Sequence, residues 1–427
     1  MAASSRLQYA NKTILAPMVR AGTLPLRLLS LEYGADIVYC EELIDWKLLR
    51  STRRENTLLG TIDYIDDSDG TVIFRTCAKE AGRVVMQIGT CDADRALKVA
   101  KMVEQDVAGI DVNMGCPKEF SIKGGMGAAL LTQPDKVRSI ITTLVQGCKV
   151  PVTAKIRLLP NSEDTLSLCK LLEECGVSAV GIHGRTREQR PHHSNNHSAI
   201  AAIAKQLKVP VIANGGSKEI ENHEDIEKFR QMCEASSVMV ARAAQWNASV
   251  FRREGMLPLD DVIKAYLCLA VEYDSAPANA KYCVQSMLRE LQETPRGKKF
   301  LAAQSLQDIC NLWGLGEFCY EKQEERRKAM TGHPNCHIVP ATVEAERQAK
   351  RRKVQDLNKI SENVISLPCV FRRALYKNND VNLPKTRLLM WTRLNKVDQP
   401  RYETTQVDKL FCAVATVEGQ SYTSSYW

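Results

Sequence analysis

The sequence predicts an α/β protein whose first 255 residues close into a (β/α)8 TIM barrel, and three observations point to it. Short β-branched runs alternate with helical patterns eight times over roughly 250 residues, the usual span of such a barrel. The G-x-G-x-x-G turn that an open, doubly wound sheet would carry after an early strand is absent. Polar and charged residues interrupt the apolar runs just past each strand, the end at which a barrel gathers its functional side chains.

Taken in order, strands are expected near Thr13–Leu15, Ile37–Tyr39, Val84–Ile88, Gly109–Val112, Val152–Lys155, Ala179–Ile182, Val211–Ala213 and Ser237–Val240. Apolar spacing between them predicts helices over Leu24–Glu32, Ala93–Gln105, Asp135–Gln146, Ser162–Cys175, Ala199–Gln206 and Glu224–Cys233. Thr71–Thr76 reads as an extra hairpin element rather than a barrel strand. Pro17, Met18 and Val19 follow the first strand, Glu41 and Glu42 the second, and Gln87 ends the third. Asn113 and Cys116 follow the fourth, and Lys155 ends the fifth. His183, Gly184 and Arg185 follow the sixth, Asn214, Gly215 and Gly216 the seventh, and Ala241 and Arg242 the eighth. Singly, each has a plain structural reading: Lys155 as a salt-bridged strand end, Gln87 as a core amide, His183 as a buried histidine. Their convergence on one mouth favours a ligand site.

Past Arg242 the pattern is purely helical. Asp260–Tyr273, Asn279–Glu293 and Phe300–Trp313 carry apolar residues at helical spacing, with Gly314 and Gly316 as stop signals. A small helical domain is expected over 256–320, packed beside a barrel of 1–255. Alternating charge over 321–362 predicts a linker, a tether with helical tendency. Aromatic and β-branched residues return over 363–427. There LPKTRLLMWTRLNKV reads as an amphipathic helix, and PRYETTQV, LFCAVATVEG and QSYTSSYW as a three-stranded meander.

Bulk composition fits a multidomain globular chain: 427 residues, 44% of them hydrophobic, with apolar runs too short to span a membrane. The N-terminus lacks the apolar core of a secretory signal. The fifteen cysteines are therefore expected as reduced thiols in a cytoplasmic protein. No C-x-x-C pair or zinc-type spacing appears, so no metal site is expected. A formal charge of +8 permits a polyanionic partner without establishing one.

One stretch stands apart. Gly109–Leu130 reads GIDVNMGCPKEFSIKGGMGAAL, a strand that stops on Asn113 and then presents Cys116 between Gly115 and Pro117. Pro117 fixes its own φ and turns Cys116 away from helix, so the thiol sits in a braced loop suited to chemistry. The runs NMGCPK and KGGMGAAL resemble the active-site loop of the tRNA dihydrouridine synthases. ILAPMV, GADIVYCEELID, VIANGGS and SSVMVARAA are similar to the eukaryotic branch acting at position 20 of the D-loop. The resemblance runs through roughly the first 320 residues and resumes near the C-terminus. There the helix and meander resemble a double-stranded-RNA-binding domain, incomplete because the family's second long helix is not found.

The resemblance implies a flavin-dependent enzyme that reduces the C5–C6 bond of a tRNA uridine, with bound FMN and with NADPH as hydride donor. Cys116 would be the general acid at C5, and an ordinary thiol, with a pKa of about 8.5, is protonated as that role requires. The loops after the last two strands commonly hold a phosphate in barrels; Asn214, Gly215, Gly216, Ala241 and Arg242 suit that place. Gln87, Lys155 and His183 would face the isoalloxazine, Lys155 stabilising negative charge at N1 and O2. Pro17, Met18 and Val19 would back the ring, and Glu42 would help hold that wall. Asn113 and Arg185 are expected to hold the uracil edge, after the base has been swung out of its stack. In the family the helical domain helps hold tRNA, making Lys281, Arg289, Arg296, Lys298 and Lys299 candidate phosphate contacts. Lys385, Arg387 and Arg393 on the C-terminal helix, with Arg372 and Arg373, are further candidates. A monomer is expected. Two alternatives remain at this level: a flavin barrel acting on small molecules, and a non-catalytic RNA-binding protein. The RNA-binding-like tail speaks against the first and the cysteine loop against the second.

Overall fold

The computed structural model describes residues 7–330, 364–366, 384–407 and 410–423. They belong to two compact units divided between Ile338 and Val339. In the first unit the strands are β1 (Thr13–Leu15), β2 (Ile37–Tyr39), β3 (Leu43–Ile44), β4 (Ser51–Asn56), β5 (Thr61–Asp66), β6 (Val72–Cys77) and β7 (Val84–Gly89). They continue as β8 (Gly109–Met114), β9 (Val152–Leu158), β10 (Ala179–Thr186), β11 (Val211–Asn214) and β12 (Ser237–Val240). Neighbours in the order β2-β1-β12-β11-β10-β9-β8-β7 are all parallel, and β2 also pairs with β7. The sheet therefore closes into an eight-stranded barrel, made of the eight strands the sequence predicts.

Period-two alternation sorts the side chains of these strands. Ile14, Ile37, Tyr39, Val85, Ala179, Ile212 and Met239 pack together with Tyr9 in one buried cluster. Their neighbours in sequence, among them Leu15, Val38, Met86, Val180, Ala213 and Val238, join a larger core with the helices. Those helices are α1 (Leu24–Glu32), α2 (Asp45–Leu49), α3 (Ala93–Val103), α4 (Glu119–Lys123), α5 (Pro134–Gly147), α6 (Ser162–Glu174), α7 (His197–Ala204), α8 (His223–Met232) and α9 (Arg242–Trp246). Local signals start them. The Asp92 carboxylate accepts from Arg95 N at the head of α3, Pro134 occupies the first turn of α5, and Asn222 and Asp225 form a capping box on α8.

The extra element expected at Thr71–Thr76 is the third strand of an antiparallel sheet, β4-β5-β6. Its first strand, STRREN, exposes its four central residues and so lacks alternation. Charge pairing holds this sheet: Arg75 and Asp63 form a bidentate pair at 2.7 Å, and Arg53 pairs with Asp106 at 2.7 Å. Below it the fully buried Arg27 makes two bonds to Glu80, at 2.8 and 2.7 Å, and one from Nη1 to the Gly22 carbonyl.

The helical segment follows as α10 (Leu259–Glu272), α11 (Pro277–Leu288), α12 (Pro295–Ala302), α13 (Leu306–Leu312) and α14 (Gly316–Met330). The charged stretch beginning at Glu321 is thus the last ten residues of α14 as far as Met330; residues 331–363 lie outside the described residues, as do Arg372 and Arg373. Among the described residues no helix is long and apolar enough to cross a membrane.

The second unit contains β13 (Val364–Ser366), α15 (Pro384–Leu394), β14 (Arg401–Val407), β15 (Leu410–Val417) and β16 (Gln420–Thr423). β14, β15 and β16 form the expected antiparallel meander. β13, a three-residue strand with too little sequence to show alternation, adds to it in parallel with β16.

Candidate functional site

A cavity of about 490 Å³ opens where β1, β10, β11 and β12 end, lined by Met18, Val19, Lys118, His183, Asn214, Gly215, Gly216, Ala241 and Arg242 among others. Pro17 lies half-buried immediately before Met18. One wall suits a phosphate. Gly215 has φ +115°, and a Cβ there would stand 2.1 Å from Asn195 Oδ1 and 2.9 Å from His183 Cδ2. A Cβ on Gly216 would meet the Phe229 ring at 2.7 Å. Only bare backbone fits between these side chains. The Asn214 amide is spent on the Met239 carbonyl at 2.8 Å, which holds this turn against β12. Arg242 reaches Ser217 Oγ at 3.0 Å.

The wall is strongly cationic. Burial, with Arg185 as neighbour, presses the Arg242 guanidinium below its ordinary range. Burial and the proximity of Arg190, Arg185 and Arg242 do the same to Arg157. Arg185, only 1% exposed, donates to the His193 and Gly215 carbonyls and to His183 Nε2 at 3.1 Å, but its Nη2 is buried with no partner. Both amide atoms of the buried Asn195 are also unsatisfied. Orphaned donors beside crowded cations fit a dianionic ligand group. Because Arg185 donates to Nε2, His183 is the neutral tautomer with its proton on Nδ1, and burial with four nearby cations keeps its pKa well below the ordinary value.

A second set of side chains runs under the Cys116 loop. Thr153 Oγ1 and Gln87 Nε2 each donate to the buried Asp111 carboxylate at 2.7 Å. Gln87 Oε1 accepts from Asn113 Nδ2 at 3.1 Å, and Asn113 Oδ1 accepts the backbone N–H groups of Gly115 at 2.9 Å and Cys116 at 3.0 Å. This relay fixes both amide orientations and presents the thiol. Lys155, register neighbour of Asn113 across β8 and β9, has no hydrogen-bond partner among the described residues. Burial and the nearby Arg157 lower its pKa to about 8, against the opposing pull of Asp111 and Cys116. Arg157 Nε donates to the Gly115 carbonyl and Nη1 to that of Thr186, both at 2.9 Å, stapling the cysteine loop to the end of β10. The Cys116 thiol is half-buried, and its pKa is raised by desolvation and then by the Glu42 carboxylate. It stays protonated near neutral pH.

The residues singled out in the sequence thus gather at one barrel end, with changes of detail. Asn113 commits its carbonyl to the loop and one amide hydrogen to Gln87, leaving one hydrogen for a ligand. Arg185 lies beside Gly215, on the phosphate-like wall. Glu42 faces Cys116. Asp111, Arg157 and Asn195 were not singled out. Asp111 and Arg157 stand two residues from Asn113 and Lys155 on the same strand faces, the signal by which they are found. In the helical segment Lys281 turns inward onto the Leu301 and Ala303 carbonyls, and Arg296 pairs with Asp260 at 2.8 Å; Lys298 and Lys299 are exposed. Arg289 lies over the Trp246 ring at 4.5 Å. In the second unit Lys385 lies over the Tyr402 ring at 4.5 Å, while Arg387 and Arg393 are exposed on α15.

The model of the family described as dihydrouridine synthase (Dus) matches residues 14–339. The tRNA-dihydrouridine(20) synthase (NAD(P)+) of Schizosaccharomyces pombe is 39% identical over 294 residues, covering 66% of this chain and 60% of that protein. Its counterpart in Saccharomyces cerevisiae is 36% identical over 299 residues, covering 66% and 78%. The chain spans about 60% of the length of the first of these relatives. A crystal structure of a tRNA-dihydrouridine(20) synthase dsRBD domain is 41% identical over 14% of this chain and 65% of that one, with a TM-score of 0.13.

Proposed function

The chain belongs to the dihydrouridine synthase family, and we propose on that premise that it reduces the C5–C6 bond of a D-loop uridine in tRNA, at position 20. The observation that carries this reading is the half-buried, protonated Cys116 held by the Asn113 relay at the end of the barrel where Lys155, His183 and Arg242 also stand.

The residues present fit FMN. Orphaned donors on Arg185 and Asn195 and the bare backbone at Gly215 and Gly216 suit its phosphate, with Arg242 as charged partner. Lys155, His183 and Gln87 would hold the ring edge, and Pro17 to Val19 would back it. When bound, FMN supplies the hydride carrier between NADPH and C6 of the uracil. The protein supplies the proton. Cys116 Sγ–H gives it to C5, on a loop fixed by Asn113 and Arg157 so that the thiol arrives already oriented. Lys155, an unpaired ammonium in a desolvated site, stabilises negative charge developing near it. Asn113 keeps one amide hydrogen for the swung-out base. A monomer acting on tRNA in the cytoplasm, reduced by NADPH, completes the proposal.

The test is Cys116→Ala. It should bind flavin and tRNA like the parent and lose dihydrouridine formation by roughly 10²-fold or more, the scale of general acid catalysis. Product at the parental rate, measured by mass spectrometry of the tRNA nucleosides, would refute the assignment.

A further inference from the structure

We propose that Glu42 is the positioning residue that keeps Cys116 in its thiol form and returns its proton after each donation. The inference rests on the reading of Cys116 as proton donor. Glu42 lies between β2 and β3, and β3 pairs with β7 at Ile44 and Gly89. Space for its carboxylate comes from that pairing: a Cβ on Gly89 would stand 2.8 Å from Glu42 Oε1. The oxygen is buried and makes no hydrogen bond, and no Lys, Arg or His among the described residues forms an ion pair with Glu42. A buried carboxyl oxygen left without a hydrogen bond or a close ion pair is costly and asks for a function.

The titratable groups near this carboxyl are the Cys116 thiol and the Lys118 ammonium. Cys116 in turn meets Glu42, the Lys118 backbone N–H and the Ser121 hydroxyl, while Lys155 and Arg157 act on it as cations. Those two cations favour a thiolate, the wrong state for an acid. Glu42 opposes them, and burial raises its own pKa so that it takes up a proton more readily than an exposed carboxylate. The step balances without any redox change. The S–H bond breaks, its electron pair stays on sulfur, and the proton goes to C5. The new thiolate charge raises the proton affinity of Glu42, which takes a proton from water and passes it to sulfur.

The test uses the full chain carrying Glu42→Gln, which keeps shape and removes charge. Iodoacetamide alkylation of Cys116 is followed against pH by peptide mass spectrometry, with the partly exposed Cys91 as internal reference. Loss of the carboxylate should move the Cys116 profile to lower pH by half a unit or more, about threefold faster alkylation at pH 7.5, with Cys91 unchanged. With tRNA, Glu42→Gln should give a first turnover near the parental rate followed by slower cycles, and Glu42→Asp should restore part of the cycling. An unshifted alkylation profile in a variant with the parental circular dichroism and melting temperature would overturn the inference. Unslowed cycling would do the same. Active Cys116→Ala would instead remove the reading beneath it, so the two failures are distinguishable.

Discussion

Replacing Gln87 by Glu preserves shape and reverses one hydrogen bond. Gln87 Nε2 donates to Asp111 Oδ2 at 2.7 Å; in the variant two carboxyl oxygens face each other there. If both were ionised, the repulsion at an effective dielectric of 20 would be about 6 kcal/mol. Retaining a proton costs less. Asp111 already has its pKa raised by burial from 3.8 to about 6. A raised acid holds its proton in the folded state longer than in the unfolded one, so the parent loses stability as pH climbs from about 4 to 6. In Gln87→Glu the pair keeps one proton well above pH 6, where the unfolded chain has released it. The variant therefore falls behind the parent by about 1.4 kcal/mol per pH unit above 6. Between pH 6.5 and 8 the gap should widen by about 2 kcal/mol, roughly 3 °C in melting temperature for a unit of this length. Paired thermal melts at pH 5.5, 6.5 and 8 measure it. A gap that does not change with pH would show that Gln87 does not donate to an ionisable group, and the relay to Cys116 would be wrongly oriented.

Two further outcomes are expected. Gly215→Ala puts a methyl 2.1 Å from Asn195 Oδ1 at a φ of +115°, costing on the order of 2 kcal/mol; flavin absorbance per mole of purified chain should fall at least tenfold. Glu80→Gln leaves the Arg27 guanidinium buried beside a neutral amide. Chemical denaturation should show a loss of about 3 kcal/mol, with the Met18–Gly22 turn loosened because Arg27 also holds the Gly22 carbonyl.

The barrel was legible because its strands are nearly continuous Val and Ile runs, buried on both faces, each followed by residues that cannot continue the run. The small sheet β4-β5-β6 was mostly hidden. Its first strand is STRREN, and its stability comes from pairs such as Arg75–Asp63, whose partners stand twelve residues apart with no periodic trace. The site was legible wherever a residue ends a strand. Asn195 was not, because it lies in the loop after β10, and only the fold brings it to within a methyl's reach of Gly215. Asp111 reads in sequence as an ordinary interruption of GIDVNM; its role appears only once Gln87 and Thr153 are across from it. Lys281 shows the converse error, since a cation on a helix looks available until the Leu301 and Ala303 carbonyls claim it.

Tyr9, Tyr39 and Met239, each no more than 1% exposed, leave the lumen of the barrel solid. The chamber of about 490 Å³ at the strand ends is then not continued down through the barrel. Under the proposed function, a dinucleotide and a nucleobase still attached to its RNA would compete for the space left beside FMN. On that reading they would take turns: double-reciprocal rate plots at several fixed concentrations of one should be parallel lines, and a high concentration of either should slow the other.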